Sequence, residues 1–234
     1  MRKTVGILTS LKIESSDEPY SHYYKICSFY IDRIKERNTN IVGIFDANNL
    51  DLYDGFILPG GVKITEDHYK IIDYAIKNNK PCLGICAGMQ AMILYDYLSH
   101  KINKDNFKAI DLIDKYNELI SNKEYILEKV FCHGGELVSG DIIPNITNIN
   151  KSTHSININN GSILYDIYNS SKIDVISMHN YGYKGLLNDF NIIAKSDDEV
   201  VEAIIHKNKC ILGVQFHIEL EPHNKIFEKF IDKL

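Results

Sequence analysis

Tryptophan is absent from the 234-residue chain while Lys and Ile abound, a bias that reads as drift in base composition and not as function. A basic block is also missing. With 26 Lys and Arg against 31 Asp and Glu, the net charge is −5, so no positive stripe exists to follow phosphates, and nucleic acid and anionic membranes are not expected partners. There is no CxxC pair. The five cysteines, Cys27, Cys82, Cys86, Cys132 and Cys210, are odd in number and scattered, which argues against a disulfide framework and a cysteine zinc cluster, and for a reducing, cytoplasmic setting. Long apolar runs are lacking as well. Val5-Gly6-Ile7-Leu8 soon meets Lys12, Glu14, Asp17 and Glu18, too short for a signal peptide core or a membrane span.

What is present alternates. Val5 to Thr9, Asn40 to Phe45, 54–58 and Pro81 to Ile85 have strand character, and helical spacing fills Tyr20 to Arg37, Glu66 to Asn79 and the stretch from Ala87. Strand–helix alternation predicts an α/β fold: a doubly wound, mostly parallel sheet flanked by helices, with sites at the carboxyl ends of its strands. After Leu98 the pattern changes. His100 to Lys129 leans helical and polar. Beyond Gly134-Gly135 the chain is β-rich, with strands at Thr153 to Ile158, Asp174 to Met178, Asn191 to Ala194, Val200 to Ile205 and Cys210 to Phe216, and extra antiparallel strands are expected in this half. A closing helix is expected over Glu221 to Leu234, with Pro222 in its first turn. No repeat or low-complexity linker interrupts the chain, only an Asn- and Ile-rich stretch around 145–160. The length suits one domain over 1–234 with a helical insertion near 100–130.

The most informative segment is Gly84-Ile85-Cys86-Ala87-Gly88, a G-x-C-x-G between an apolar strand and a helix. It is the cysteine form of a nucleophile elbow. A nucleophile in a strained strand-to-helix turn needs small residues two positions either side. The helix N-terminus beneath the sulfur favours the reactive thiolate, and the Ala87 N–H points to where an oxyanion would form. One strand earlier, Pro59-Gly60-Gly61 lets backbone approach a ligand. The Gly61 N–H would be the second oxyanion donor, and Gly60 a substrate contact. For the base, His217 in Gly213-Val214-Gln215-Phe216-His217-Ile218-Glu219 lies at the carboxyl end of an apolar strand, with Glu219 placed to orient its ring.

This ordered set resembles the class I glutamine amidotransferase-like superfamily. The resemblance implies Cys86 as nucleophile, His217 as base, Glu219 as its orienter and an oxyanion site from the Gly61 and Ala87 backbones, with no metal and no cofactor. More finely, it looks like the gamma-glutamyl hydrolase branch, including gamma-glutamyl-GABA hydrolases. His133-Gly134-Gly135-Glu136-Leu137 with Gly140-Asp141-Ile142, Thr153-His154-Ser155-Ile156, Val175 to Asn180 and Val200 to Ile204 carry that likeness. His154, Ser155, Ser177 and His179, with Gln90 in the first turns of the elbow helix, are candidate contacts for the α-amino and α-carboxylate groups of a gamma-glutamyl substrate.

The pattern departs from that branch in places. Ala87 stands where Arg is usual and Ile218 where Pro is usual. Val62-Lys63 replaces an acidic residue, Glu66-Asp67-His68 replaces an Arg-Asp pair, and the chain between Gln90 and Gly134 is longer. The expected activity is hydrolysis of a gamma-glutamyl amide with release of glutamate. Two alternatives stand beside it: a glutaminase subunit supplying ammonia to a partner synthetase, and an inactive binding protein on the same fold. Homo-oligomer and synthetase partner both remain open.

Overall fold

Strands in this chain are short apolar runs that alternate between two cores. The computed structural model describes residues 2–13, 22–35, 37–61, 63–102, 107–130, 133, 136–138, 141–143, 153–221 and 224–234. In chain order the elements are β1 (Thr4–Leu8), β2 (Ser10–Ile13), β3 (His22–Lys25), α1 (Ser28–Lys35), β4 (Asn40–Ile44), β5 (Gly55–Leu58), α2 (Glu66–Asn78), β6 (Cys82–Ile85), α3 (Ala87–Ile102) and α4 (Ala109–Ser121). There follow β7 (Glu128–Lys129), β8 (Glu136–Val138), β9 (Asp141–Ile143), β10 (Thr153–Ile158), α5 (Ile163–Tyr168), β11 (Lys172–Ile176), β12 (Tyr181–Gly182), β13 (Phe190–Ser196), β14 (Val201–His206), β15 (Ile211–Val214) and α6 (Lys225–Ile231).

Nine strands form one sheet in the order β11-β10-β13-β14-β15-β6-β5-β1-β4. From β15 to β4 every pairing is parallel. From β15 to β11 every pairing is antiparallel. In β5, Phe56 and Leu58 enter one core and Ile57 the other, the two-residue period of a sheet covered on both faces. The first core holds Tyr69, Ile72 and Ala75 of α2, Met89 and Met92 of α3, and Leu112 of α4. The second holds Tyr30 and Ile34 of α1, Leu164 of α5, and Phe227 and Phe230 of α6. The expected α/β sandwich is there, with the added antiparallel strands in the second half. No described helix is long and apolar enough to cross a membrane.

Three expectations need correction. Helix does not run from Tyr20 to Arg37: residues 22–25 instead pair antiparallel with 10–13, and only Ser28–Lys35 is helical. The short aromatic run fits both periods, and Tyr23 and Tyr24 suit a strand. The closing helix starts at Lys225, capped by Asn224 Oδ1 accepting from the Ile226 N–H at 2.8 Å. Third, β11 lies two residues earlier than expected, which frees Ser177 to His179 from the sheet. Cys132, Gly134, Gly135, Gly140, Pro222 and residues 144–152 of the Asn-rich stretch lie outside the described residues.

Because β15, β6 and β5 are adjacent and parallel, the segments leaving their carboxyl ends share one rim. Those segments are Gln215 to His217, Cys86 with the start of α3, and Pro59 to Gly61.

Candidate active site

Cys86 leaves β6 with φ +51°, the left-handed region that costs a cysteine about 1–3 kcal/mol and persists only where its surroundings enforce it. They do. The Cys86 N–H donates to Val214 O at 2.8 Å, and Gln90 N–H donates to Cys86 O at 3.0 Å to start α3. The flanking glycines are required by close approach. A Cβ on Gly88 would collide with the Leu58 carbonyl oxygen, and one on Gly84 would lie 2.8 Å from the Gly88 carbonyl carbon. As the first residue of α3, Ala87 has an N–H with no intrahelical acceptor.

His217 is pinned by its own N–H to Ile176 O at 2.8 Å. A Cβ on Gly60 would sit 3.0 Å from Cε1 of the His217 ring and 3.4 Å from Cβ of Cys86; ring and thiol flank one bare glycine. Nδ1 of His217 lies 2.7 Å from Oε1 of Glu219, which sits in the 3-10 turn Ile218–Leu220. Burial opposes charge on the ring, but Cys86 and Glu219 outweigh it and hold the His217 pKa up to about 10. Nε2, the nitrogen facing away from Glu219, has no hydrogen-bond partner among the described residues.

Tyr30 completes the arrangement, although the sequence marks it only as one residue of a helical stripe. Its hydroxyl donates to Glu219 Oε1 at 3.0 Å and accepts from the Gly60 N–H at 3.1 Å. Burial, then the Glu219 carboxylate, push the hydroxyl well above its ordinary range, so it stays a neutral donor. Glu219 lies 189 positions away, and no local pattern points to it.

Beside the elbow is a cavity of about 750 Å³ whose wall includes Gly61, Ala87, Gln90, Tyr116 and Tyr181. Both proposed oxyanion donors and Gln90 therefore reach one space. Gln90 Nε2 donates to Tyr181 O at 2.8 Å and to Gln215 Oε1 at 3.1 Å. Gln215, within the same motif as His217, is fully buried, and the sequence gives it no role. The helical segment after α3 supplies a wall of the cavity through Ile110, Ile113, Tyr116, Asn117 and Ile120. The residues Glu66-Asp67-His68 start α2: His68 Nδ1 accepts from the Thr65 N–H at 3.1 Å, and burial lowers its pKa to about 4, keeping it the neutral acceptor this cap needs.

The cavity wall includes none of His154, Ser155, Ser177 and His179, nor Gly60, Cys86 or His217 themselves; the elbow reaches it through Gly61, Ala87 and Gln90. His154 and Ser155 are consecutive in β10 and leave opposite faces of the sheet, so they cannot hold one ligand together. Ser155 Oγ donates to Asp174 Oδ1 at 2.5 Å. Ser177 is fully buried and bonded to His154 Nε2 at 2.9 Å. His154 and His179 instead converge with His133 on the buried carboxylate of Glu202. Among the described residues this is one of two groups with potential metal ligands, the other being Asp96, His100 and Asp189. Asp96 already accepts from the N–H groups of Asn188 and Asp189, each at 2.7 Å.

A family model described as Glutamine amidotransferase class-I matches residues 23–233. The chain belongs to this family. CTP synthase of Rickettsia bellii is 29% identical over 232 residues, covering 90% of this chain and 40% of that protein. A glutamine-hydrolyzing GMP synthase subunit of Picrophilus torridus is 30% identical over 203 residues, covering 84% of this chain and 85% of that protein. The chain therefore spans less than half the length of the CTP synthase. Among solved structures, the glutaminase domain of Trypanosoma brucei CTPS with bound acivicin aligns at a TM-score of 0.63 and 14% identity, covering 99% of this chain and 93% of that one; at that identity the likeness is one of fold. Class-I glutamine amidotransferase domains hydrolyse glutamine amide bonds, which sets the coarse enzyme class as a hydrolase of carbon–nitrogen bonds. These matches single out no gamma-glutamyl hydrolase branch.

Proposed function

We propose that the chain is the glutaminase part of an amidotransferase, hydrolysing the side-chain amide of glutamine and supplying ammonia to a partner synthetase. The observation that carries this reading is Cys86 held at φ +51° beside a His217 ring whose other nitrogen is 2.7 Å from Glu219. The Cys86 thiolate attacks the amide carbon, and the oxyanion rests on the Gly61 and Ala87 N–H groups. His217 gives its Nε2 proton to the departing nitrogen, which leaves as ammonia, and a gamma-glutamyl thioester remains. Water, deprotonated by the now neutral His217, attacks the thioester; glutamate departs and the thiolate is restored. Glu219 orients the ring and stabilises it when charged. Gln90 and the cavity beside the elbow receive the amino-acid end. The partner enters because relatives include a CTP synthase, in which the matched part is 40% of the protein, and a component of a GMP synthase.

A stand-alone gamma-glutamyl hydrolase is the second reading. The His154-Ser155 and Val200 to Ile204 segments favour it, but His154 and Ser155 leave opposite faces of β10 and are engaged by Ser177 and Asp174, which ranks it below the first. One assay separates them: glutamate release from glutamine and from gamma-glutamyl-GABA, with Cys86→Ala as control and acivicin as a label for Cys86. Slow glutamine turnover that rises when the amidating partner and its acceptor are supplied supports the first reading. Turnover of the dipeptide in preference to glutamine supports the second. No turnover and no labelling leaves an inactive binding protein and ends both.

A further inference from the structure

Away from the wall of the cavity beside the elbow, three imidazoles and a carboxylate meet beside the antiparallel half of the sheet. His133, His154, His179 and Glu202 each offer one ligand atom, all within 4.8 Å of one another. Glu202 is fully buried, and His133 and His179 are each 4% exposed. From Glu202 Oε1 the distances are 3.2 Å to His133 Nδ1, 3.6 Å to His154 Nε2 and 3.6 Å to His179 Nε2.

The outward-facing nitrogens fix what the inward ones present. His179 Nδ1 lies 3.0 Å from Tyr181 O, His154 Nδ1 lies 3.3 Å from Ser155 O, and His133 Nε2 lies 3.2 Å from Asp198 Oδ1. All three partners only accept, so each ring turns its N–H outward, and a neutral imidazole then offers a lone pair from its other nitrogen. Three lone pairs thus face a carboxylate oxygen in a buried place. They repel unless a proton or a metal cation sits among them: a proton can bridge His133 Nδ1 and Glu202 Oε1 at 3.2 Å, while the two pairs at 3.6 Å are too long for a hydrogen bond. The Ser177 hydroxyl donates to the lone pair of His154 Nε2 at 2.9 Å, a hydrogen bond that a metal ion there would displace. Nε2 of His179 and Oε2 of Glu202 are buried with no hydrogen-bond partner among the described residues, which a folded protein seldom leaves so.

We propose that His133, His154, His179 and Glu202 bind a divalent transition-metal ion, with Zn2+ the best fit. Three imidazoles and one carboxylate form a donor set for borderline cations and not for Ca2+ or Mg2+. A tetrahedron with bonds of about 2.0–2.1 Å has edges of roughly 3.3–3.4 Å, close to the three distances from Glu202. The outward carbonyls and carboxylate are the partners that metal-bound histidines take on their second nitrogen. Four protein ligands leave no open position, so the role is structural. Its reach is specific: Tyr181 O, which accepts from His179, also accepts from Gln90 Nε2 in the cavity wall. The ion anchors the segment that holds Gln90. This inference does not depend on the glutaminase reading.

The test is metal content. The full chain is incubated with Zn2+, desalted and analysed by elemental mass spectrometry, and the affinity is measured by competition with a chromophoric chelator. One zinc per chain is expected, retained in Cys86→Ala and in His206→Ala. His154→Ala and Glu202→Gln are each expected to weaken Zn2+ affinity by about tenfold or more, with circular dichroism reporting the fold. If Glu202→Gln does not fold, His154→Ala, at a partly exposed ring, carries the test alone. Co2+ in place of Zn2+ should give the visible bands of a tetrahedral nitrogen–oxygen site without a thiolate charge-transfer band. Three results would overturn the proposal: no zinc retained by the wild type, equal zinc in His154→Ala, or zinc lost in Cys86→Ala. The first would mean that protons alone neutralise the cluster.

Discussion

The hydroxyl of Tyr30 bridges two parts of the candidate site that are distant in sequence: the Gly60 N–H in the loop after β5 and the Glu219 carboxylate behind the His217 ring. Tyr30→Phe keeps the ring in its core and removes only that oxygen. The buried Glu219 carboxylate and the part-buried Gly60 N–H each lose a partner, so a stability loss of about 1–3 kcal/mol is expected in urea unfolding. Glutamine turnover should also fall by about tenfold, equivalent to about 1.4 kcal/mol in the barrier, because the loop that carries Gly61 is no longer tied to the base. Unchanged kcat with reduced stability would make Tyr30 a packing residue only. His217 allows a test by pH. Its pKa of about 10 in the fold exceeds the roughly 6.5 of a free imidazole. The ring's charge therefore stabilises the fold fully below about pH 6.5, and that contribution is lost as pH rises toward 10. Glu219→Gln removes one of the two groups that raise the pKa, so the fall in stability over this window should become shallower than in the wild type. Equal slopes would show that Glu219 does not support the charged ring.

At the scale of elements, the turn from β6 into α3 is readable because every part of it is local. Gly84, Cys86 and Gly88 sit within five positions, and the collisions that require the glycines involve β5 and the same turn. Gly88→Ala forces the helix away from Leu58; a loss of about 1–3 kcal/mol is expected, with activity falling further than stability because Cys86 moves with the helix. Unfolding curves and turnover on the same preparation check this. Residues 22–35 mislead for the converse reason. Whether Tyr23 and Tyr24 join a helix or a strand depends on a partner, Leu11 and Lys12, that periodicity does not include. The segment after α3 is legible as helical and polar but not in its role. In α4, Leu112 and Leu119 are buried in the core, while Ile113 and Tyr116 line the cavity. Tyr116→Ala should raise KM for glutamine several-fold and leave kcat nearly unchanged, the signature of lost uniform binding; a fall in kcat with constant KM would place α4 in the chemistry instead.

For the molecule as a whole, the sequence conveys the kind of layers, not their order. The β5–β6–β15 neighbourhood that brings residues 60, 86 and 217 together can be inferred only because motifs mark all three strand ends. The His133, His154, His179 and Glu202 group is marked only indirectly: its members lie in the four separated segments that carry the finer family likeness, but no ligand spacing links them, and Glu202 lies inside an apolar strand. The same long-range order bears on how the protein folds. β15 pairs in parallel with β6 on one side and antiparallel with β14 on the other, so a continuous ladder crosses from one half of the sheet to the other. Each core also draws on both halves: Phe56 shares one with Ile204, and Ile57 shares the other with Ile156. Parallel and antiparallel halves should therefore unfold as a single unit. Ile57→Ala in the parallel half and Ile156→Ala in the antiparallel half should each cost about 2–5 kcal/mol and shift one common transition followed by circular dichroism and tyrosine fluorescence. Two separated transitions, with Ile156→Ala moving only one of them, would divide the chain into two folding units.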